Sequence, residues 1–472
     1  MVLQLSWFKD YYYFSIQQTN KRRKLNYSFT QVKRAALAFS LFTLCHSSPL
    51  YAVSYSGRAT VGSYISNEHF KLESDGTFNN DFSTISSRLF TRFTEITENR
   101  LEGTVDIRDK HDFFEKYDSE KLALTGNNTL QAREVSLKYN DPRSRWLATV
   151  GRFSISDAGA VNVDGAEAGV RWTESWRSSV FGGQDPKLPN QTYFQQNPHA
   201  YAFGTYTVFQ PTSSSWRSNT LNSTALVAKN VQSHLDRFYF YDFFLYEWES
   251  PSRIMGMLYL DLVPRTYVQT GLLAYSQKLN KDWSSTLQGT AIDTIEYSRR
   301  KGVLETLAPS PYREGTLSVR QILNNTTSFN YYTLFGVRKA DHRKVQIYSF
   351  GPDYTQIFHK EVSGGLKLGF KKNFTSRDFF TKINIGYYPK NWELVLDEYL
   401  AIQKEAAQTY YPIISEVSLA HFFSREFYGT LSYQNATSAI AKVNTFFIYL
   451  GYRFGSKDVP PLRDGAPPRG RL

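Results

Sequence analysis

The stretch Arg100-Leu101-Glu102-Gly103-Thr104-Val105-Asp106-Ile107-Arg108 alternates without a break. Leu101, Gly103, Val105 and Ile107 fall on one side of an extended chain, and Arg100, Glu102, Thr104, Asp106 and Arg108 on the other. Successive side chains of a strand point to opposite faces, so this strand is apolar on one face and charged on the other. The period returns in Val135, Leu137 and Tyr139 against Glu134, Ser136 and Lys138. It returns again in Leu366, Leu368 and Phe370 against Lys367 and Lys371, and in Ile383, Ile385 and Tyr387 against Lys382 and Asn384. Segments of about ten residues of this kind, divided by Asn, Asp, Gly, Pro and Ser clusters, are the sequence trace of a transmembrane β-barrel, where only the lipid-facing half of each strand is apolar.

Composition points the same way. Aromatic residues make up 16% of the 472, with 33 Tyr and 35 Phe, yet charged residues reach 21% and the mean hydropathy is −0.44. A helical membrane protein needs about 20 mostly apolar residues per span, which this composition excludes. A barrel girdled by aromatics at its two rims tolerates it. The fold class expected is therefore all-β, one large antiparallel transmembrane barrel of about 18–22 strands; an even number puts both termini in the periplasm.

Three regions follow. Residues 1–52 read as an N-terminal extension and signal peptide, with a basic segment ending at Lys33-Arg34, an apolar run from Ala35 to Leu44, and cleavage after Ala52. Residues 53–454 read as the barrel, and 455–472, with four prolines and four basic residues, as a disordered periplasmic tail. Cleavage removes seven Lys or Arg and one Asp, which halves the net charge of +12 and takes away Cys45, the one cysteine. A surplus that small and that dispersed gives no argument for nucleic acid.

The connections alternate in length. Ser66 to Asp81 is long and polar, Thr97-Glu98-Asn99 short, Asp109 to Asn128 long, and Asn140-Asp141-Pro142 short, the order that extracellular loops and periplasmic turns require. Segments 184–199 and 298–312 are long again and fall on the extracellular side. The best helical candidate, Ala401 to Gln408, lies in an expected external loop. Strands 144–154 and 235–248 alternate poorly.

Charges that point into a barrel persist where the lumen holds water or where they pair. The inward candidates are Arg100, Arg108, Lys138, Lys367, Lys371, Lys382 and Arg453 against Glu102, Asp106 and Glu134. This balance suggests a lumen that mildly favours anions. Trp146, Trp172, Trp248, Trp283 and Trp392 suit interfacial girdles, with a sugar path inside the pore as the alternative.

Val443 to Phe454 places Phe446, Ile448, Leu450, Tyr452 and Phe454 on one face and Thr445, Tyr449, Gly451 and Arg453 on the other. This resembles the closing strand of Gram-negative outer-membrane barrels. The resemblance implies that Tyr449, Gly451, Tyr452 and Phe454 form the signal read by the barrel-assembly machinery, although here a tail follows the Phe. Val150-Gly151-Arg152-Phe153, Asp157-Ala158-Gly159-Ala160 and Val163-Asp164-Gly165-Ala166 are similar to a strand, loop and strand of porin-like proteins.

Gly-x-Ser-x-Gly, His-Glu-x-x-His and P-loop spacings are absent from the sequence. His111, Asp112, Glu115 and Asp118 read as part of a solvated loop, and Asp75-Gly76 with Asn79, Asn80 and Asp81 as a tight turn, since the alternating acids and distal Glu of a calcium loop are missing. No catalytic, cofactor or metal site is expected. The expected function is diffusion, passive or substrate-biased, of small hydrophilic solutes through a porin-like channel, monomeric or homotrimeric. It would be set among outer-membrane lipid and lipopolysaccharide, with inward-folded loops narrowing the bore. A non-conducting barrel that binds partners or acts structurally through its extracellular loops is the first alternative, and a soluble secreted all-β protein the second.

Overall fold

The computed structural model describes residues 54–456 apart from 72–76, 97–99, 113–127, 142, 187–198, 212–219, 249–250, 294–311, 374, 406–407 and 440. The signal-peptide reading, the loop with Glu115 and Asp118, and nearly all of the Pro-rich tail lie outside the described residues.

The strands, in chain order, are β1 (Ser54–Lys71), β2 (Thr77–Ile96), β3 (Leu101–Asp112), β4 (Asn128–Tyr139), β5 (Trp146–Ile155), β6 (Val161–Arg171), β7 (Trp176–Gln184) and β8 (Ala200–Phe209). They continue with β9 (Leu221–Val231), β10 (His234–Glu247), β11 (Ser252–Val263), β12 (Tyr267–Lys278), β13 (Trp283–Ile292), β14 (Tyr312–Ile322), β15 (Thr327–Arg338) and β16 (Lys344–Tyr354). The last are β17 (Val362–Lys372), β18 (Ser376–Tyr387), β19 (Trp392–Glu405), β20 (Gln408–Tyr410), β21 (Ile413–Phe422), β22 (Phe427–Thr437) and β23 (Ala441–Gly455). Among the described residues the one helical element is a single 3-10 turn, Ser156–Ala158, between β5 and β6.

Each strand runs antiparallel to its neighbour, and β1 pairs with β23 from Ser56↔Gly455 to Phe70↔Ala441, so the sheet closes. The three residues of β20 only extend the far end of β19, which pairs directly with β21. The result is a closed antiparallel barrel of 22 staves. Closure leaves no row of unpaired backbone groups, the condition for a sheet to stand in hydrocarbon. With an even number of staves both ends of the barrel chain meet at one rim, the terminal end; the other rim is the far end.

Directly opposed residues of an antiparallel pair share a face, so the two faces can be followed around the ring. Val61, Leu287 and Phe379, exposed by 47%, 58% and 61%, mark the outer one. The described tryptophans, Trp146, Trp172, Trp176, Trp248, Trp283 and Trp392, share that outer face and sit in the terminal-end turns or at the terminal-end starts of strands. They form a girdle rather than a sugar path, because their amphipathic rings suit a membrane interface.

Several local expectations change. The polar stretch Ser66 to Asp81 is mostly strand: β1 runs to Lys71 and β2 begins at Thr77, so Asn79, Asn80 and Asp81 lie in the β1–β2 pairing and not in a tight turn. His111 and Asp112 likewise end β3. Ala401 to Glu405 continue β19 against β18; the cross-strand partners override a local helical preference. The alternation of loop lengths also breaks, since β9 and β10 join at the far end through Gln232 and Ser233 alone, both at positive φ, while 210–220 spans a longer terminal-end connection.

Candidate functional site

The β5–β6 hairpin leaves the wall at its far end. β4 pairs with β5 only as far as Val135↔Arg152, and β6 pairs with β7 only from Asp164↔Gln184. Beyond those points β5 and β6 hold only each other, to Ile155↔Val161. The departure occurs at the opposed pair Gly151↔Gly165. Gly151 has φ +116°, and a Cβ there would run into the Val135 carbonyl oxygen, so the bend requires glycine.

The freed tip turns into the lumen. Phe153, Ile155, Val161 and Val163 are buried in one cluster with Ala202, Tyr206 and Val208 of β8, Ala225 and Val227 of β9, and Tyr239 and Tyr241 of β10. Those wall residues are inward-facing, because their neighbours Tyr201, Phe203 and Leu226 are exposed on the outer face. Burying each large side chain of the tip contributes about 1.5–3 kcal/mol, an upper estimate given a compact unfolded chain. Polar anchors fix the position. Ser223 Oγ donates to the Asp157 carbonyl at 2.6 Å, Tyr259 Oη to the Gly159 carbonyl at 2.8 Å, and Arg177 Nη2 to Asp157 Oδ2 at 2.7 Å. Behind the tip, the Tyr206 hydroxyl donates to the buried Glu167 carboxylate. The other face of the tip carries exposed Ser154 and Asn162 and the Arg152–Asp164 ion pair, with Arg152 Nε 2.6 Å from Asp164 Oδ1.

This docking explains why 144–154 and 235–248 alternate poorly. Phe153 and Ile155 pack on protein, and β10 is apolar on both faces: Tyr239 and Tyr241 are buried with the tip, while Phe238 and Phe240, partly exposed, lie on the outer face that lipid would cover. A strand buried on both faces loses its polar alternate.

Elsewhere the inner wall is charged, and the ten sequence candidates fall into two groups. In the first, around β23 and β1–β4, Arg88 meets Asp106 through two bonds of 2.7 Å, and Arg92 meets Glu102 at 2.6 Å. Register opposes Glu102 to Lys138 and Asp106 to Glu134, and Ser136 Oγ donates to Glu134 at 3.1 Å. Arg108 and Lys138 have no ion-pair partner among the described residues. Arg100 sits in the terminal-end turn, 3.5 Å from Asp141. The Arg453 guanidinium lies 4.9 Å from the Tyr428 ring centroid. In the second group, on β17 and β18, Lys367 opposes Lys382 and Lys371 opposes Asp378, with Lys382 Nζ 3.7 Å from Asp397. No strand pairing joins the two groups. A recess of about 260 Å³ beside the first is lined by Gly62, Tyr64, Thr84, Ser86, Arg108, Lys110 and Phe447.

Of the closing-strand residues, Tyr449 and Gly451 face inward, while Tyr452 and Phe454 face outward at the terminal end. The Phe454 ring fills the space left by the missing side chain of Gly57 and lies 6.4 Å from Tyr55. Register also turns inward Arg58, Arg88, Arg92 and Arg320, and with them Glu314, Asp353, Asp378, Asp397 and Glu416. Sequence reading missed these where a strand's alternation was weak; they shrink the surplus of cations that the ten candidates alone suggested. Among the described residues no group of three or more His, Cys, Asp or Glu is placed to hold a metal ion; His111 instead meets Asp109 at 2.8 Å.

No protein-family model and no curated protein matches the sequence. Solved structures do resemble it. OccAB4 of Acinetobacter baumannii shares 8% identity over 87% of this chain and 100% of its own, with a TM-score of 0.44. A BenF-like porin from Pseudomonas fluorescens Pf-5 shares 8% over 85% and 99%, at 0.45. The translocation pore of the P pilus usher PapC shares 10% over 85% and 99%, at 0.43. The architecture of this chain rests on its own closed ring of pairings.

Proposed function

We propose that this barrel is an outer-membrane channel through which small hydrophilic solutes diffuse along the charged part of the lumen, beside the docked β5–β6 tip. The observation that carries the reading is the division of the inner wall: one arc is largely apolar and covered by the tip, and the remainder keeps charged side chains, some in ion pairs and others, such as Arg108 and Lys138, without an ion-pair partner among the described residues. A barrel of this size leaves an aqueous channel unless something fills it, and the tip fills one side. Arg100, Glu102, Asp106, Arg108, Glu134, Lys138, Lys367, Lys371, Lys382 and Arg453 are the proposed pore-lining residues.

The same reading includes export with cleavage after Ala52, both barrel ends in the periplasm, and Tyr449, Gly451, Tyr452 and Phe454 as the assembly signal. Single-channel recording in a planar bilayer under a salt gradient tests it. Stable conducting steps are expected, and their reversal potential reads the balance of lumen charge. A folded, heat-modifiable barrel that inserts and stays silent would overturn diffusion in favour of a barrel acting through its far-end loops.

A further inference from the structure

The two rims of the outer face differ. The terminal end carries the tryptophans, whereas the far end of β14 and β16–β19 carries Arg313, Lys344, Lys372, Arg377 and Lys404, all on the outer face. Three of these are directly opposed in register, Lys372↔Arg377 and Arg377↔Lys404. Like charges set opposite each other across strands repel. Lys372, Arg377 and Lys404 have no ion-pair or hydrogen-bond partner among the described residues, and no described carboxylate shares this part of the outer face: Glu405 and Asp378 point inward. Two residues nearer the barrel's middle, the row turns apolar, as Tyr348↔Phe370, Phe370↔Phe379 and Phe379↔Ile402, with Phe379 and Ile402 exposed by 61% and 45%. Phe370 and Phe379 pack with ring centroids 5.1 Å apart.

We infer that this strip is a binding site for the phosphate headgroup of an anionic membrane lipid, seated on Lys372, Arg377 and Lys404 with its acyl chain along Phe370, Phe379 and Ile402. The chemistry is specific to an amphiphile. A phosphate relieves repulsion that no carboxylate among the described residues relieves, and the aromatic row beneath offers hydrocarbon contact that a free anion does not use. The site requires that the barrel stand in a membrane. It does not depend on whether the lumen conducts.

The test is native mass spectrometry of the full chain, purified in a zwitterionic detergent and titrated with phosphatidic acid, phosphatidylcholine or inorganic phosphate. Wild type is expected to bind phosphatidic acid in preference to phosphatidylcholine. Each cation near a membrane surface contributes enough for about a fivefold change in affinity. R377Q alone should therefore weaken phosphatidic acid about fivefold, and K372Q/R377Q/K404Q on the order of a hundredfold, while K281Q in a terminal-end turn changes nothing. Heat modifiability on gels checks that each variant has folded, and the single variant keeps the test decisive if the triple does not fold. Equal phosphatidic acid binding by wild type and either variant overturns the site. Displacement of the lipid by inorganic phosphate alone overturns it as well, by showing a plain anion site.

Discussion

Two arcs of the same inner wall are built on opposite principles. Along β8–β10 the inward residues include Ala202, Tyr206, Val208, Ala225, Val227, Tyr239 and Tyr241, covered by the apolar side chains of the docked tip, with buried Arg237 beside them held by Asp261 at 2.7 Å. Along β17–β18 the charged inward residues are Lys367, Lys371, Asp378 and Lys382, none of them in the tip's apolar cluster, and of these Asp378 is buried at 6% exposure. A strand in a barrel can thus satisfy its inner face in two ways. It packs that face as a globular core does, or it leaves ionised groups to water and to each other. The first fixes a piece of chain in the lumen, and the second keeps a path open beside it.

The largest way to break this contrast is to undock the tip. Phe153→Ala removes a buried ring from the contact, at about 3–5 kcal/mol. Single-channel conductance should rise while the barrel stays heat-modifiable; an unchanged conductance would show that the tip does not border the path. Next is the charged side. Asp106→Asn leaves Arg88 without its two-bond partner, at about 1–3 kcal/mol, and the urea midpoint of the refolded barrel should fall. Tyr259→Phe deletes one anchor, at about 0.5–1.5 kcal/mol, and is expected to show as brief current flickers between the docked and loosened tip.

Lys367→Glu with Lys382→Glu should move the reversal potential toward cation preference without altering stability much, since both side chains lie on the uncovered arc. A reversal potential that stays put would remove β17–β18 from the solute path. The smallest effect concerns neither arc. In the far-end turn 339–343 the Arg338 guanidinium, hydrogen-bonded to Asp341 with Nε at 2.9 Å, holds that carboxyl below its ordinary 3.8, with help from Arg343. A depressed carboxylate contributes stability that is present above its unfolded pKa and lost as pH falls through the folded one. Limited proteolysis of this turn should therefore be flat from neutral pH down to about 4 and rise only in stronger acid. Because Asp341 lies at the surface, the effect is small and screened by salt.

Much of this was legible in the chain. Alternation in Leu101–Arg108 and Val362–Lys371 gave the strands and their charged faces, and the composition ruled out helical spans. What misled were places where a neighbour supplied the answer. Ala401 to Glu405 look helical alone and are strand because β18 lies alongside. The polar run after Ser66 looks like loop and is mostly strand because β1 and β2 pair through it.

By itself the sequence determined that this protein is all-β, which residues of its clear strands share a face, and that charged groups turn inward, because alternation at period two is a local property of an extended chain. Only the tertiary structure decided that 22 staves close the ring, that Phe153 and Val163 join Tyr239 in one buried cluster, and that Lys372, Arg377 and Lys404 stand in one row. Those facts depend on register and packing between residues distant in sequence, and no local pattern encodes which strands will meet.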